Sequence, residues 1–375
     1  MRWRWLFHLA SRCRVGHGLA TVMTKPSIVA ATLFALCFAM VHPVRAGTAE
    51  RHVNVIAVNY DPVLAEHGGV TLRKFMKWSD PRIMTTNLLR YIRESSGAYA
   101  QYHLVDFIDV NAFPAKRDGF RYSEQSFLEM WKDRKKVHQP DAFSYAAMFK
   151  ELDLKQRITR DDVSEIWVWG APYFGTDEYA MKIPGDQLFF QTGNAWFYRP
   201  YDIPDCGRTV WVMGFNYEVG EDNALHSFGH RCEGILSLTV GRGTWDGKAG
   251  ETNAWSRFTR QADKFPNDAQ AGNVHGGPNA REGYDYSQTN VVLSGADDWL
   301  NYPNLTGARK PVNCDTWGKP HHLNFQRWWL AHLPKNSGTT AGFYNNWWRY
   351  IVDYDAAVAE VPPPGHRQKL RKAMY

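Results

Sequence analysis

Two histidines one helical turn apart and a glutamate three residues beyond them, His226, His230 and Glu233, are the residues of this 375-residue chain whose types and spacing point most directly to chemistry. At about 100° per residue the three fall within about 60° of each other on a helix. Two imidazoles so placed can chelate one Zn²⁺, and the carboxylate can be a third ligand, the partner of a ligand, or a proton-transfer group. In the helical zinc-peptidase pattern H-E-x-x-H the residue after the first histidine is the general base; here that position is Ser227, so the base is missing. The competing reading is structural: His230, Arg231 and Glu233 satisfy one another where the helix packs, in a chain that has fourteen histidines.

Two further residues extend the set. His275 lies in the loop Gly272-Asn273-Val274-His275-Gly276-Gly277-Pro278-Asn279, flexible enough to reach over the helix and complete a metal site. Glu178, in Ala171 to Met181, is a candidate acid or base, set against the plainer role of a solvated loop carboxylate. A shared ion requires the imidazole nitrogens of His226, His230 and His275 to lie within roughly 5 Å of one another. Asp285, Asp297 and Asp298 could ligate a hard cation such as Ca²⁺, but they lack the alternation of a calcium loop, and Asx turns explain them as well. P-loop, G-x-S-x-G and dinucleotide fingerprints are missing.

These residues need elements to position them. A helix beginning around Glu221, Asp222 and Asn223 puts Leu225, Phe228, Cys232, Ile235 and Leu236 on one stripe, about 130° from the histidine face, which makes that stripe core. Val53 to Val58, Tyr102 to Val110, Ile166 to Trp169 and Thr209 to Met213 read as strands, the last directly before the helix. Asp80-Pro81 starts a helix between the first two, ending near Gly97, so the order predicts a crossover with parallel pairing. Ser123 to Lys136, Phe143 to Leu154 and Trp255 to Phe265 also read as helices, as does Phe325 to Leu333. The fold class expected is α/β: a central mixed or mostly parallel sheet with flanking helices, and a loop-rich half from about residue 266 whose aromatic content argues against disorder.

The first 46 residues carry six Arg and Lys, no acid, and an apolar run from Ile28 to Val41, with Val44-Arg45-Ala46 supplying a signal-peptidase site. The expectation is a signal peptide cleaved after Ala46, translation starting at Met23, and a single elaborated domain over 47–375 that is secreted or periplasmic, without stable membrane insertion. Removing the leader cuts 44 Lys and Arg to 38, equal to the 38 Asp and Glu, so no basic excess remains to attract nucleic acid. Cys206, Cys232 and Cys314 then allow one disulfide with a thiol left over.

GFNYEVGED…HSFGHRCEGIL, GNVHGGPNAREGYDY, DDWLNYPNLTG and NNWWRYI together resemble an uncharacterised family of secreted bacterial and fungal proteins, over roughly Ile166 to Ile351. The resemblance implies export but no particular activity. A second similarity is to the zincin architecture, in which a mixed sheet precedes a helix with two histidine ligands and a later loop supplies the third. The leading expectation is an exported hydrolase of an extracellular or cell-envelope polymer, peptide or glycan. His226, His230 and His275 would hold a metal, Zn²⁺ being the cofactor to expect, and Glu233 and Glu178 would be the catalytic carboxylates. The alternative is a non-catalytic secreted module that binds glycan on Trp and Tyr surfaces.

Overall fold

The computed structural model describes residues 50–185, 187–188 and 202–363, all within one unit that runs from Ala46 to Tyr375. The leader expected over residues 1–46, with Met23, lies outside the described residues.

The β-branched runs form the strands they predict. In chain order the main sheet is built from β1 (Arg51–Tyr60), β2 (Ala100–Val110), β3 (Val163–Gly170), β4 (Tyr179–Lys182), β5 (Gln187–Leu188) and β6 (Val210–Asn216). Their spatial order is β2-β1-β3-β6-β4-β5, with β2, β1, β3 and β6 mutually parallel, β4 antiparallel to β6 and β5 antiparallel to β4. The fold is therefore α/β with a mixed, mostly parallel sheet. β1, β3 and β6 are buried along nearly their whole length, as strands covered on both faces must be.

The helices that position the site follow from equally local chemistry. α1 (Pro81–Ser95) begins at Asp80, whose side chain accepts from Arg82 N–H, with Pro81 in the first turn where it needs no partner for its nitrogen. α2 (Glu124–Lys132) is capped by Ser123 and α3 (Tyr145–Glu151) by Ser144, and α4 (Leu154–Arg160) completes the connection into β3. α5 (Glu221–Leu238) carries the histidines. Its first residue, Glu221, accepts from Asn87 Nδ2 (2.7 Å) and Tyr91 Oη (2.9 Å) of α1, fixing the helix start against its neighbour. Every residue of α5 from Ala224 to Leu238 is buried, because β6, α1, α7 (His321–His332) and the Trp348–Val352 helix pack around it.

Some segments depart from the sequence reading. Trp255 to Phe265 is helical only over α6 (Ala254–Phe258). In a continued helix the Phe258 carbonyl would accept from Ala262 N–H; instead Ala262 N–H donates to Pro278 and Phe258 accepts from Ala271 N–H (2.9 Å). Tertiary pairing has captured both groups. Cys206, Cys232 and Cys314 are free thiols, so the one disulfide they allowed does not form. The half beyond Phe258 has only short elements before α7, yet it is tied down: Asn279 Nδ2 donates to the carbonyls of Gln288 and Asn290, and Trp317 Nε1 to that of Tyr286.

Trp255, Trp299, Trp329 and Trp347 pack on one another and on Phe258 beneath these loops, all fully buried, and Trp167, Trp169 and Trp348 are buried as well. Among the described residues no helix is long and apolar enough to cross a membrane.

Candidate metal centre

α5 presents His226 and His230 on one side, and the loop after Gly272 lays His275 across them. Ring centroids are 4.6 Å apart for His226 and His230, 4.7 Å for His230 and His275, and 5.3 Å for His226 and His275. One ligand nitrogen from each lies within 4.8 Å of the other two, so the three could hold a metal ion. Close approach depends on two glycines of α5. A Cβ on Gly229 would sit 2.8 Å from Val274 Cγ2, and one on Gly234 would sit 2.5 Å from Tyr179 Oη. The loop bearing His275 and the strand that follows Glu178 therefore press onto the helix where it has no side chain.

The surroundings of the triad choose which nitrogens are left over. His230 Nδ1–H donates to Glu233 Oε2 (2.8 Å), and Glu233 Oε1 accepts from Val274 N–H (2.9 Å). Tyr286 Oη–H donates to the Val274 carbonyl (3.0 Å), leaving its oxygen to accept from His226 Nδ1–H (3.2 Å). Gln326 Nε2 also donates to the Val274 carbonyl (2.9 Å) and lies 3.3 Å from His226 Nδ1. Both helical imidazoles thus have Nδ1 engaged and Nε2 as the remaining lone pair, the arrangement that locks metal-binding histidines in other proteins.

Burial sets the charge state. It holds His226 well below the usual imidazole range, lowers His230, and brings His275 down to about 4. All three are neutral at neutral pH, the form that binds a cation, and three imidazoles crowded together would otherwise repel one another. Burial raises Glu233 to about 7 and raises Glu178, while the His230 ring pulls Glu178 the other way. A cation at the triad would favour both carboxylates.

Arg231 takes no part in the site. It turns to the opposite side, pairs with Glu165 Oε1 of β3 (2.7 Å), donates to the Ile351 carbonyl and lies over the Trp211 ring. The buried Glu165 is completed by Tyr102 Oη and Trp167 Nε1. The self-satisfying His230–Arg231–Glu233 network therefore reduces to its His230–Glu233 half.

Glu178 does not sit in a free loop. Ala171 to Met181 ends in strand β4, and the Glu178 carbonyl accepts from Gly214 N–H (3.0 Å), so the residue is fixed where β4 joins the sheet. Its Oε2 lies 3.9 Å from His230 Nε2 with no hydrogen-bond partner among the described residues, although 27% of the side chain remains open. A carboxylate from another element thus lies beside the ring nitrogen of His230 that would face an ion. Asp285, Asp297 and Asp298 do not converge: Asp285 holds Gln288, Asp297 pairs with Lys310 and His332, and Asp298 accepts from Thr306 and Gly307 N–H.

Four residues at the site went unmarked in the sequence reading. Tyr286 holds His226, and Gln326 holds the Val274 carbonyl next to it; Asp222 and His322 pair (Oδ2 to Nδ1, 3.0 Å) close by. Only the position of Asp222, one turn before His226 on the same helix face, was a local signal. Tyr284, exposed and held at a φ of +66°, stacks over His226 (5.6 Å) and lies tilted by 48° against His275 (4.8 Å). His275 also borders a cleft of about 270 Å³ lined by Asp246, Asp263, Lys264, Asn273, Arg281 and Glu282, with no Trp, Tyr or Phe in its wall. Compared with known proteins, the chain matches no protein-family model, no curated protein and no solved structure.

Proposed function

We propose that the protein is an exported, metal-dependent hydrolase of an extracellular or cell-envelope polymer. Zn²⁺ would be held by Nε2 of His226, Nε2 of His230 and a ring nitrogen of His275, with Glu178 as the proton-transfer group. The observation that carries this reading is the convergence of three neutral imidazoles beside a carboxylate oxygen that has no hydrogen-bond partner among the described residues. A donor set of imidazoles alone suits Zn²⁺, and three protein ligands are the number that leaves a coordination position open for catalysis. Such an ion lowers the pKa of a water and polarises a carbonyl.

The chain's own residues supply the rest. Glu178 accepts the proton of the attacking water and returns it to the leaving group, a role for which burial has already raised its affinity for protons. Glu233 has both oxygens committed, so it positions His230 and the 274–275 loop and leaves proton transfer to Glu178. Tyr286 does the same for His226, and Gln326 anchors the 274–275 loop through the Val274 carbonyl. Export rests on the character of residues 1–46 and on the resemblance to secreted bacterial and fungal proteins. A glycan-binding module finds less support, because the fully buried tryptophans pack in the core and the cleft beside His275 has no aromatic wall.

Elemental analysis of protein purified without chelator tests the reading, together with His230→Ala and Glu178→Gln. One zinc per chain is expected in the wild type and Glu178→Gln, and none in His230→Ala, with hydrolysis of envelope peptide or glycan polymers lost in both variants. A folded wild type that carries no metal and takes up none on titration with Zn²⁺ would sink it.

A further inference from the structure

The cleft that borders His275 has an inner wall and a rim of different chemistry. Asp246, Gln261, Asn273 and His275 are half-buried and form the wall, whereas its two cations, Lys264 and Arg281, are exposed. Both wall amides turn their nitrogens to the protein. Asn273 Nδ2 donates to Asp246 Oδ2 (3.3 Å), and Gln261 Nε2 donates to the carbonyls of Gly276 (2.9 Å) and Gly277 (3.3 Å), which fixes the Gln261 oxygen on the other side. Asp246 Oδ1 and Gln261 Oε1 are left without a hydrogen bond among the described residues, and neither is a fully buried atom. The wall therefore offers acceptors, one of them an anion.

Asp246 makes no ion pair among the described residues, although carboxylates taken out of water are normally paired. Burial raises its affinity for protons, Glu233 and Asp263 act in the same direction, and Lys264 on the rim does not outweigh them. The position calls for positive charge. A hard metal ion takes six or more oxygen ligands, and the group of three or more donors that does gather closely among the described residues is the histidine triad, without Asp246. An organic cation needs fewer partners. At about 270 Å³ the cleft is smaller than the roughly 300–1,000 Å³ of pockets that take a whole small molecule, which suits it to one side chain of something larger. His275 belongs to the triad and to this wall, so a chain lying across the triad has the cleft within reach.

We propose that Asp246, with Gln261 Oε1 in the same wall, binds the ammonium or guanidinium of a substrate side chain, so that the polymer cut at the metal centre is a peptide with lysine or arginine next to the scissile bond. This rests on the metal-dependent reading above. The cleft has no aromatic platform for a sugar ring. Asp246 is in this account a substrate-binding residue that sets specificity, and it takes no part in the chemical step.

Metal-binding probes that differ only at the far end test it: butano-, pentano- and hexanohydroxamic acid, each against its ω-amino counterpart. Each is titrated into Co²⁺-loaded full-length protein, and binding is followed by the visible cobalt spectrum. For the best-fitting chain the terminal ammonium is expected to strengthen binding to the wild type about tenfold, the scale of one hydrogen bond between charged groups. In Asp246→Asn that advantage is expected to vanish, and Asp246→Glu, which keeps the charge, is expected to retain part of it. Should the variants fail to fold, probes of the same lengths that end in a carboxylate give a test on the wild type alone, where they are expected to bind weakest of the three kinds. If they bind best, the cleft belongs to Lys264 and Arg281 and the proposal is overturned. Equal affinities of amino and plain probes at every length, with one cobalt per chain, would also overturn it and leave the metal reading standing. A wild type that binds no cobalt would overturn both.

Discussion

Glu233 accepts from the His230 ring with one carboxylate oxygen and from the backbone N–H of Val274 with the other, so the side chain that orients one candidate ligand also holds the loop that delivers the next. Glu233→Gln keeps the shape but puts an amide N–H against a donor on one side. We expect metal affinity to fall about 10- to 100-fold, as for other partners of metal-binding histidines. Apo stability is expected to drop by about 1–3 kcal/mol, the scale of a buried donor left unpaired. Competition titration with a chelating dye measures the first and thermal unfolding of metal-free protein the second. A change in stability without a change in affinity would reduce Glu233 to packing.

Metal should stabilise the fold through the same residues. An ion that binds only the native state at a concentration of about 100 Kd adds about 2.7 kcal/mol. Zn²⁺ is therefore expected to raise the melting temperature of the wild type, and a chelator to reverse the rise. His226→Ala, His230→Ala and His275→Ala should each abolish the response. His275→Ala is the sharpest case, because His275 is the least buried of the three and its loss disturbs the core least. A Zn²⁺ response that survives in His275→Ala would remove that residue from the set.

The parts of this arrangement that were legible in the sequence are those with local causes. β1, β2, β3 and β6 follow from apolar β-branched runs, α1 from Asp80-Pro81, and the shared face of His226, His230 and Glu233 from helical spacing. β4 was not legible. Tyr-Ala-Met-Lys is four buried residues with no alternation, and only pairing with β6 makes them a strand. That pairing decides the fate of Glu178, turning a loop carboxylate into a group beside His230. His322 meets Asp222 across 100 positions because α7 packs on α5, and nothing in either segment alone predicts the meeting. The tryptophans show the converse: composition left open whether they face ligand or core, and ring-on-ring packing beneath the C-terminal loops answers it for those that are fully buried.

Gly234 tests whether close packing of α5 on β4 sets the site. Tyr179 is fully buried, so its hydroxyl cannot swing away from a new Cβ that would sit 2.5 Å from it. Gly234→Ala is ordinarily favourable in a helix interior by up to about 1 kcal/mol. Here the clash should reverse the sign and cost about 1–3 kcal/mol, as overpacking does. Chemical denaturation measures it. A stabilised Gly234→Ala would mean that the helix and strand are less tightly apposed.

Lys335 gives a pH dependence away from the metal centre. Its ammonium donates to the carbonyls of Ala331 and Leu333 at the end of α7, the helix that carries His322 and Gln326, and burial lowers it to about 8. An unfolded lysine titrates near 10.4. Below about pH 8 the side chain is charged in both states and the cost of burying it is present in full. Between about 8 and 10.4 the unfolded chain holds more protons than the native one, so this residue's contribution makes stability rise with pH. Above that window both forms are neutral and the contribution is flat. The rise amounts to at most about 3 kcal/mol, from a shift of roughly two units. Lys335→Met removes the titrating group, so melting temperatures taken from pH 7 to 11 should show the wild type gaining on the variant across that interval and nowhere else. Parallel curves for the two proteins would mean that the ammonium is solvated in the native state and that its two carbonyl bonds do not bury it.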